Sequence, residues 1–283
     1  MTTQDQNLDD SKAPLIEHLT ELRSRLLKAV VAIGIAFVVC FIFSNEIFDI
    51  LTWPYIVARG DDEALFQYTA LQELFFTQMK IGFFGAIFIA FHVIASQIYM
   101  FMAPGLYRHE RSAFYPFLIA TPILFIIGAS LVYFVVMPLA IAFFLSLEQT
   151  GTGTTATITN VPKVSEYLSL IMTLIFAFGT VFQLPVVMTL LARINVVSSE
   201  GLSAKRKYAI VLAFGAAAIL TPPDPISQIS LALPTLVLYE VSIFCVRFVE
   251  RQRERNVMAN LADDDEPGTD LVETQDNQDI DKT

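Results

Sequence analysis

Charge is scarce in this chain. Only 16% of its 283 residues are Asp, Glu, Lys or Arg, against about 25% in an ordinary soluble protein. Cysteine occurs twice and tryptophan once. Cys40 and Cys245 lie in separate apolar runs with no second cysteine near either, which argues against a disulfide framework or a zinc site. No H-E-x-x-H motif, Ser/His pair or pair of aspartates sits inside an apolar run, so an intramembrane enzyme ranks last among the functional readings. The first 25 residues are polar and begin with acids. No short apolar core precedes a small-residue cleavage site, and a cleavable signal peptide is not expected.

What is present is apolar. Hydrophobic residues make up 54% of the chain, the mean hydropathy is +0.57 and the formal net charge is −10. Twelve of the 28 acids lie in the first ten residues and in residues 263–283, and between these ends acids and bases nearly balance. That distribution excludes a nucleic-acid binder with a broad basic face and fits an ordinary soluble enzyme poorly. Residues 1–13 and 263–283 read as disordered tails. Residues 251–262 read as a basic cytoplasmic helix end, and the Thr/Gly stretch 150–157 as a flexible loop.

An all-α membrane protein follows. A helix needs about 20 apolar residues to cross the hydrocarbon core. Leu26–Phe43, Ile81–Met102, Phe114–Leu147 and Tyr167–Ala192 meet that length, with Lys28 placed to snorkel from the first. Tyr208–Leu220 has only 13 residues and stops at Thr221-Pro222-Pro223-Asp224-Pro225, through which no helix runs. Ile226–Phe248 follows. Taken as a crossing pair, these two give six spans within a membrane domain of residues 14–250. Both termini are then cytoplasmic, and fifteen of the eighteen basic residues fall on that side, as the positive-inside rule requires. No internal repeat is visible, which counts against an inverted-repeat transporter.

Ionisable and amide groups inside the apolar runs are candidates for function. Gln183 precedes Pro185, and its plain reading is an interhelical hydrogen bond worth ~0.6 kcal/mol. Glu240 lies midway along the last span. Ionised and unpaired it would cost roughly 2.5–3.5 kcal/mol, so a protonated acid or a nearby partner such as a backbone group is expected. His92 reads as a packed histidine. Pro116, Pro122, Pro138, Pro185 and Pro234 mark bends that suit a curved, concave wall. A proton-coupled secondary transporter with a midplane site at Glu240 and Gln183 is the second functional reading.

On the cytoplasmic side, an amphipathic helix over 14–25 places Glu17, Glu21 and Arg25 on one face and Leu15, Leu19, Leu22 and Leu26 on another. Glu110 lies in the loop after the second span between Arg108 and Arg111. Each acid also has a bland reading as a local ion pair, that of Glu21 with Arg25 being worth about 0.2–0.5 kcal/mol.

The strings L-I-E-H-L-T-E-L-R at 15–23, A-P-G-L-Y-R-H-E-R at 103–111 and L-T-P-P-D-P-I-S-Q at 220–228 closely resemble the TatC family. So do F-V-V-M-P-L-A at 134–140 and F-Q-L-P-V at 182–186. TatC is the multi-spanning receptor subunit of the twin-arginine protein translocase. The resemblance implies a glove-shaped six-helix fold in the bacterial cytoplasmic (inner) membrane. It implies recognition of Arg-Arg signal peptides on folded cargo and assembly with single-span TatA-like and TatB-like subunits in an oligomeric complex. No enzyme activity, cofactor or nucleotide is implied, the drive being the proton-motive force. By the same resemblance Glu21 and Glu110 are the signal-peptide acids, with His18, Leu19, Arg23, Phe101, Pro104 and Arg111 on the same surface. Gln183, Asp224 and Gln228 match partner-subunit contacts, and Pro54 a sensitive position in the first outer loop. Many members carry glutamate where this chain has Gln183, and an amide cannot titrate. The chemistry is consistent, because a guanidinium matches a carboxylate bidentately where an ammonium does not.

Overall fold

A computed structural model describes residues 3–60, 65–102, 115–148, 161–220 and 225–264. Among these the regular structure is helical, apart from one isolated bridge between Gln67 and Lys163. Helix α1 spans Thr3–Ile42, α2 Ser44–Arg59, α3 Glu73–Met102 and α4 Tyr115–Leu131. A π-helical turn, Val132–Val136, joins α4 to α5, Met137–Leu145. Then come α6 Val164–Val181, α7 Leu184–Arg193, α8 Ser199–Ala204, α9 Arg206–Leu220 and α10 Pro225–Asp264.

Among the described residues five helical rods are long and apolar enough to cross a membrane: Leu19–Ile42, Glu73–Phe101, Phe117–Leu145, Val164–Arg193 and Gln228–Arg255. The expected sixth, α9, has 15 residues, about 22 Å at 1.5 Å per residue. That is shorter than a hydrocarbon core of about 30 Å. α9 and α10 are antiparallel, since Arg206 meets Glu240 and the Phe214 carbonyl accepts from Gln228.

Two boundaries differ from the sequence reading. α1 is helical from Thr3, where a disordered tail through residue 13 and a start near Pro14 were expected. The stretch α1 adds before Pro14 contains no glycine or proline to stop it. The segment between the first two rods contains a helix, α2, which buries Leu51, Pro54 and Tyr55. It ends at Gly60, whose φ of 74° is readily tolerated only by glycine. The pattern Ile47, Phe48, Leu51, Tyr55, Ala58 carried that helix in the sequence. His92 also departs from expectation: it is exposed on the outer surface of α3 rather than packed.

Small residues let the helices approach closely, because lipid supplies no hydrophobic drive and dispersion contacts must. On α1, Ala29, Ala36 and Cys40 are buried, facing Gly82, Gly85, Ala86 and Ala90 of α3. A Cβ at Gly85 would sit 2.9 Å from Cys40 Sγ. At Gly179 of α6 it would sit 2.4 Å from the ring of Phe125 on α4, a side chain 2% exposed. The largest apolar cluster gathers Leu51, Ile81, Val136, Leu168, Phe178 and Leu231 from α2, α3, the π turn, α6 and α10. Gly179→Ala is therefore expected to destabilise the fold by about 1–3 kcal/mol through overpacking. Gly34→Ala, with open space around it, should be neutral within about 0.5 kcal/mol. Melting temperatures of the two variants in detergent test the contrast.

Candidate functional site

Proline removes an N–H and leaves the carbonyl four residues back without its helical donor. In the hydrocarbon region such a carbonyl must find another partner inside the protein. Pro54 frees Ile50 O, and Tyr133 from the π turn donates its hydroxyl there at 2.6 Å. Tyr167 donates to the next carbonyl, Leu51 O, at 3.0 Å. Trp53 stacks on Tyr133 with ring centroids 6.1 Å apart. Pro54 is thus a buried residue of α2 whose broken hydrogen bond is repaired from the third rod. Pro138 acts within its own rod: the π turn before it closes with Met137 N–H on Val132 O.

At the α6–α7 break Gln183 serves carbonyls on its own rod and on α4. Its own N–H donates to Thr180 O at 3.0 Å, and its side chain Nε2 reaches back to Gly179 O at 3.5 Å. Nε2 also donates to Thr121 O at 2.9 Å, on α4 just before Pro122. The Thr121 hydroxyl in turn pairs with the Tyr99 hydroxyl at 2.9 Å and donates to Phe117 O at 2.8 Å. Gln183 is 7% exposed, and its Oε1 has no partner among the described residues. The amide therefore links three rods and keeps one free acceptor.

Glu240 has a partner that the sequence reading did not name. Arg206 Nη2 lies 2.8 Å from its Oε2, both side chains being about half exposed. The described hydrogen bonds do not connect Glu240 with Gln183: one is held by α9, the other by α4. Gln228 Nε2 donates to Phe214 O at 3.4 Å, which ties the start of α10 to α9. Asp224 lies outside the described residues.

At the other end of the molecule, Arg25 holds Glu21 through Nε at 3.0 Å and Nη2 at 2.6 Å, both on Oε1. Oε2 has no partner among the described residues. Leu19 is 62% exposed and Arg23 is exposed beside it, while Phe101 is half-buried at the end of α3. α1 and α3 run in opposite directions: Cys40 near the end of α1 meets Gly85, and Asn45, five residues further on, accepts from Gln78, seven residues earlier in α3. The same register extended along both helices brings Glu21 to the level of Phe101. The side chain of His18, and Pro104, Glu110 and Arg111, lie outside the described residues. No group of His, Cys, Asp and Glu able to hold a metal occurs among the described residues.

The end opposite Glu21 also carries a polar clasp that sequence spacing does not reveal. Glu73 accepts from Thr69 N–H at 2.8 Å and from the Ser165 hydroxyl at 2.6 Å, with Lys163 Nζ 4.0 Å away. Backbone bonds from Gln67 to Pro162 and from Val164 to Gln67 join the same two segments. Arg59 donates to the Tyr55 hydroxyl and lies 3.9 Å from Glu148.

These features define a multi-pass helical membrane protein whose described ion pairs, Arg206–Glu240 apart, sit toward the ends of its rods. The family model described as TatC, Sec-independent protein translocase protein, matches residues 17–234. The chain belongs to the TatC family. A relative of that name from Magnetococcus marinus is 50% identical over 257 residues, covering 90% of this chain and 92% of the relative. The Escherichia coli relative is 37% identical over 235 residues, covering 83% and 88%. A crystal structure described as the twin-arginine translocase receptor TatC superposes with a TM-score of 0.70 at 37% identity. It covers 82% of this chain and 99% of that one.

The Pro54–Tyr133 pairing makes a coupled prediction. Tyr133→Phe leaves Ile50 O unpaired and should cost about 1–3 kcal/mol. In a Pro54→Ala background, which restores an N–H for Ile50 O, the same change should cost less than half as much. A double-mutant cycle in detergent measures the difference.

Proposed function

We propose that this protein is the receptor core of a twin-arginine translocase, binding Arg-Arg signal peptides of folded cargo at its cytoplasmic face. The observation that carries the reading is the family match across residues 17–234, which includes the Glu21 motif. Glu21 and Glu110 are the acids of the site, with His18, Leu19, Arg23, Phe101, Pro104 and Arg111 around them. The geometry at Glu21 suits this role, because Arg25 occupies one carboxylate oxygen and leaves the other for an incoming guanidinium. A planar guanidinium fork pairs with that geometry better than an ammonium. Nearby bases, Arg23 and Lys28 among them, repel cationic peptides that fail to reach the acids.

The protein sits in the bacterial inner membrane with both termini cytoplasmic, and α9 serves as a short sixth crossing. The antiparallel α9–α10 pair and the one-sided distribution of basic residues support that arrangement. Residues 14–250 form the membrane domain, flanked by polar and acidic cytoplasmic ends. TatA-like and TatB-like single-span subunits assemble on it in an oligomeric complex, with Gln183, Asp224 and Gln228 as their polar contacts. Transport draws on the proton-motive force and uses no nucleotide or other cofactor.

Photocrosslinking to a twin-arginine peptide tests the site. Glu21→Ala and Glu110→Ala should each weaken binding about tenfold, equivalent to ~1.4 kcal/mol, while co-purification of the partner subunits persists. Undiminished crosslinking in both variants would remove the site assignment. Gln183→Glu tests the other contact. An ionised carboxylate cannot donate to Thr121 O, so transport should survive only if the introduced group stays protonated. Translocation assays across external pH, compared with Gln183→Leu, decide between donor and acceptor roles.

A further inference from the structure

The end of α10 has two chemically different faces. One face is fully engaged with α7–α9. Ile243 and Val246 are buried with Ala192 and Leu202. Tyr239 donates to Leu202 O at 2.8 Å and Arg247 to the Ser203 hydroxyl at 3.1 Å. Glu250 accepts the Ser199 N–H at 2.9 Å, and Arg253 donates to Asn195 Oδ1. On the opposite face, Leu233, Val237, Phe244 and Phe248 are exposed at 57–72%. Their spacings of four, seven and four residues keep them on one helical stripe. Continued by three and then four residues, the stripe reaches Arg251 and Arg255. Both are exposed, and neither has an ion-pair or hydrogen-bond partner among the described residues.

An apolar stripe that ends in two free arginines matches the chemistry of a lipid molecule. Phe248 lies about 4.5 Å along the axis from Arg251 and about 10 Å from Arg255. Acyl chains can therefore run along Phe244 and Phe248 while the guanidiniums lie at headgroup depth. Guanidinium groups bind phosphate oxygens bidentately. Basic groups next to a span attract anionic headgroups, and long side chains reach them by snorkelling. Of the two acids nearest the pair in sequence, Glu250 is turned to Ser199, and Glu254 lies to the side of the stripe.

We propose that Arg251 and Arg255, with Phe244 and Phe248, form a binding site for an anionic phospholipid of the leaflet on the basic side of the protein. The clasp to α7–α8 positions the site by holding the opposite face of α10 in place. The occupant is an anionic lipid rather than a free anion, because the apolar stripe and the cations are contiguous on one face.

Thermal unfolding of the full chain in a neutral detergent tests this. Added phosphatidylglycerol should raise the melting temperature clearly more than phosphatidylcholine does. Arg251→Gln/Arg255→Gln should lose at least half of the phosphatidylglycerol shift while keeping the phosphatidylcholine value, which shows that the variant is folded. Lys205→Gln/Lys207→Gln should keep the full shift. Equal stabilisation of the wild type by both lipids, or an undiminished phosphatidylglycerol shift in the arginine variant, would overturn the proposal. A shift reproduced by inorganic phosphate, or by a soluble polyglutamate peptide, would assign the surface to another anion and overturn it as well.

Discussion

One constraint recurs in the interior of this protein: a backbone carbonyl freed by a helix break is costly away from water unless the protein itself supplies a donor. Prolines free such carbonyls at several depths. Where Pro138 interrupts its rod, a π-helical turn re-spaces the backbone locally. Where Pro54 interrupts α2, the donor is Tyr133 from a rod far along the chain. At the α6–α7 break, Gln183 uses one amide to serve two carbonyls on two helices. Each repair fixes the relative position of the elements involved, so the polar bonds specify the packing that the apolar contacts then fill.

That logic separates the two kinds of polar group. Described ion pairs are gathered near the ends of the rods. Glu21 and Arg25 lie at one end, and Arg59–Glu148 and Glu73–Lys163 at the other. Glu240 is the exception: it lies midway along the last rod, half exposed, and pairs with Arg206 where α9 begins. The interior is left to amides and hydroxyls, which bind without the desolvation penalty of a charge. A membrane protein built this way can expose charge at its ends while its core stays neutral.

Much of the architecture was legible in the linear chain. Four uncharged or nearly uncharged runs of at least 18 residues marked four rods directly, because hydrocarbon thickness dictates their length. Glu21 and its pairing with Arg25 followed from helical spacing, a local property. α2 was readable in principle from Ile47, Phe48, Leu51, Tyr55 and Ala58, but a span-length criterion passes over an amphipathic helix of 16 residues. His92 was expected to be packed, and its exposure depends on which side of α3 the neighbouring rods occupy. Pro116, Asp224 and Glu110 fall among residues whose side chains are not described.

Length, apolar runs and the placement of charge determined by themselves that this is a helical, multi-pass membrane protein with one strongly basic side. These are properties of short segments in contact with solvent or lipid, and no partner is needed to read them. Only the tertiary structure decided what mends each break. Tyr133 meets Ile50 across 83 residues, Gln183 meets Thr121 across 62, and Ser165 meets Glu73 across 92. Hydrogen bonds are short and directional, so their partners are chosen by how the rods pack. Charge, so scarce along the chain, was informative through its position; the identity of each partner came from the fold.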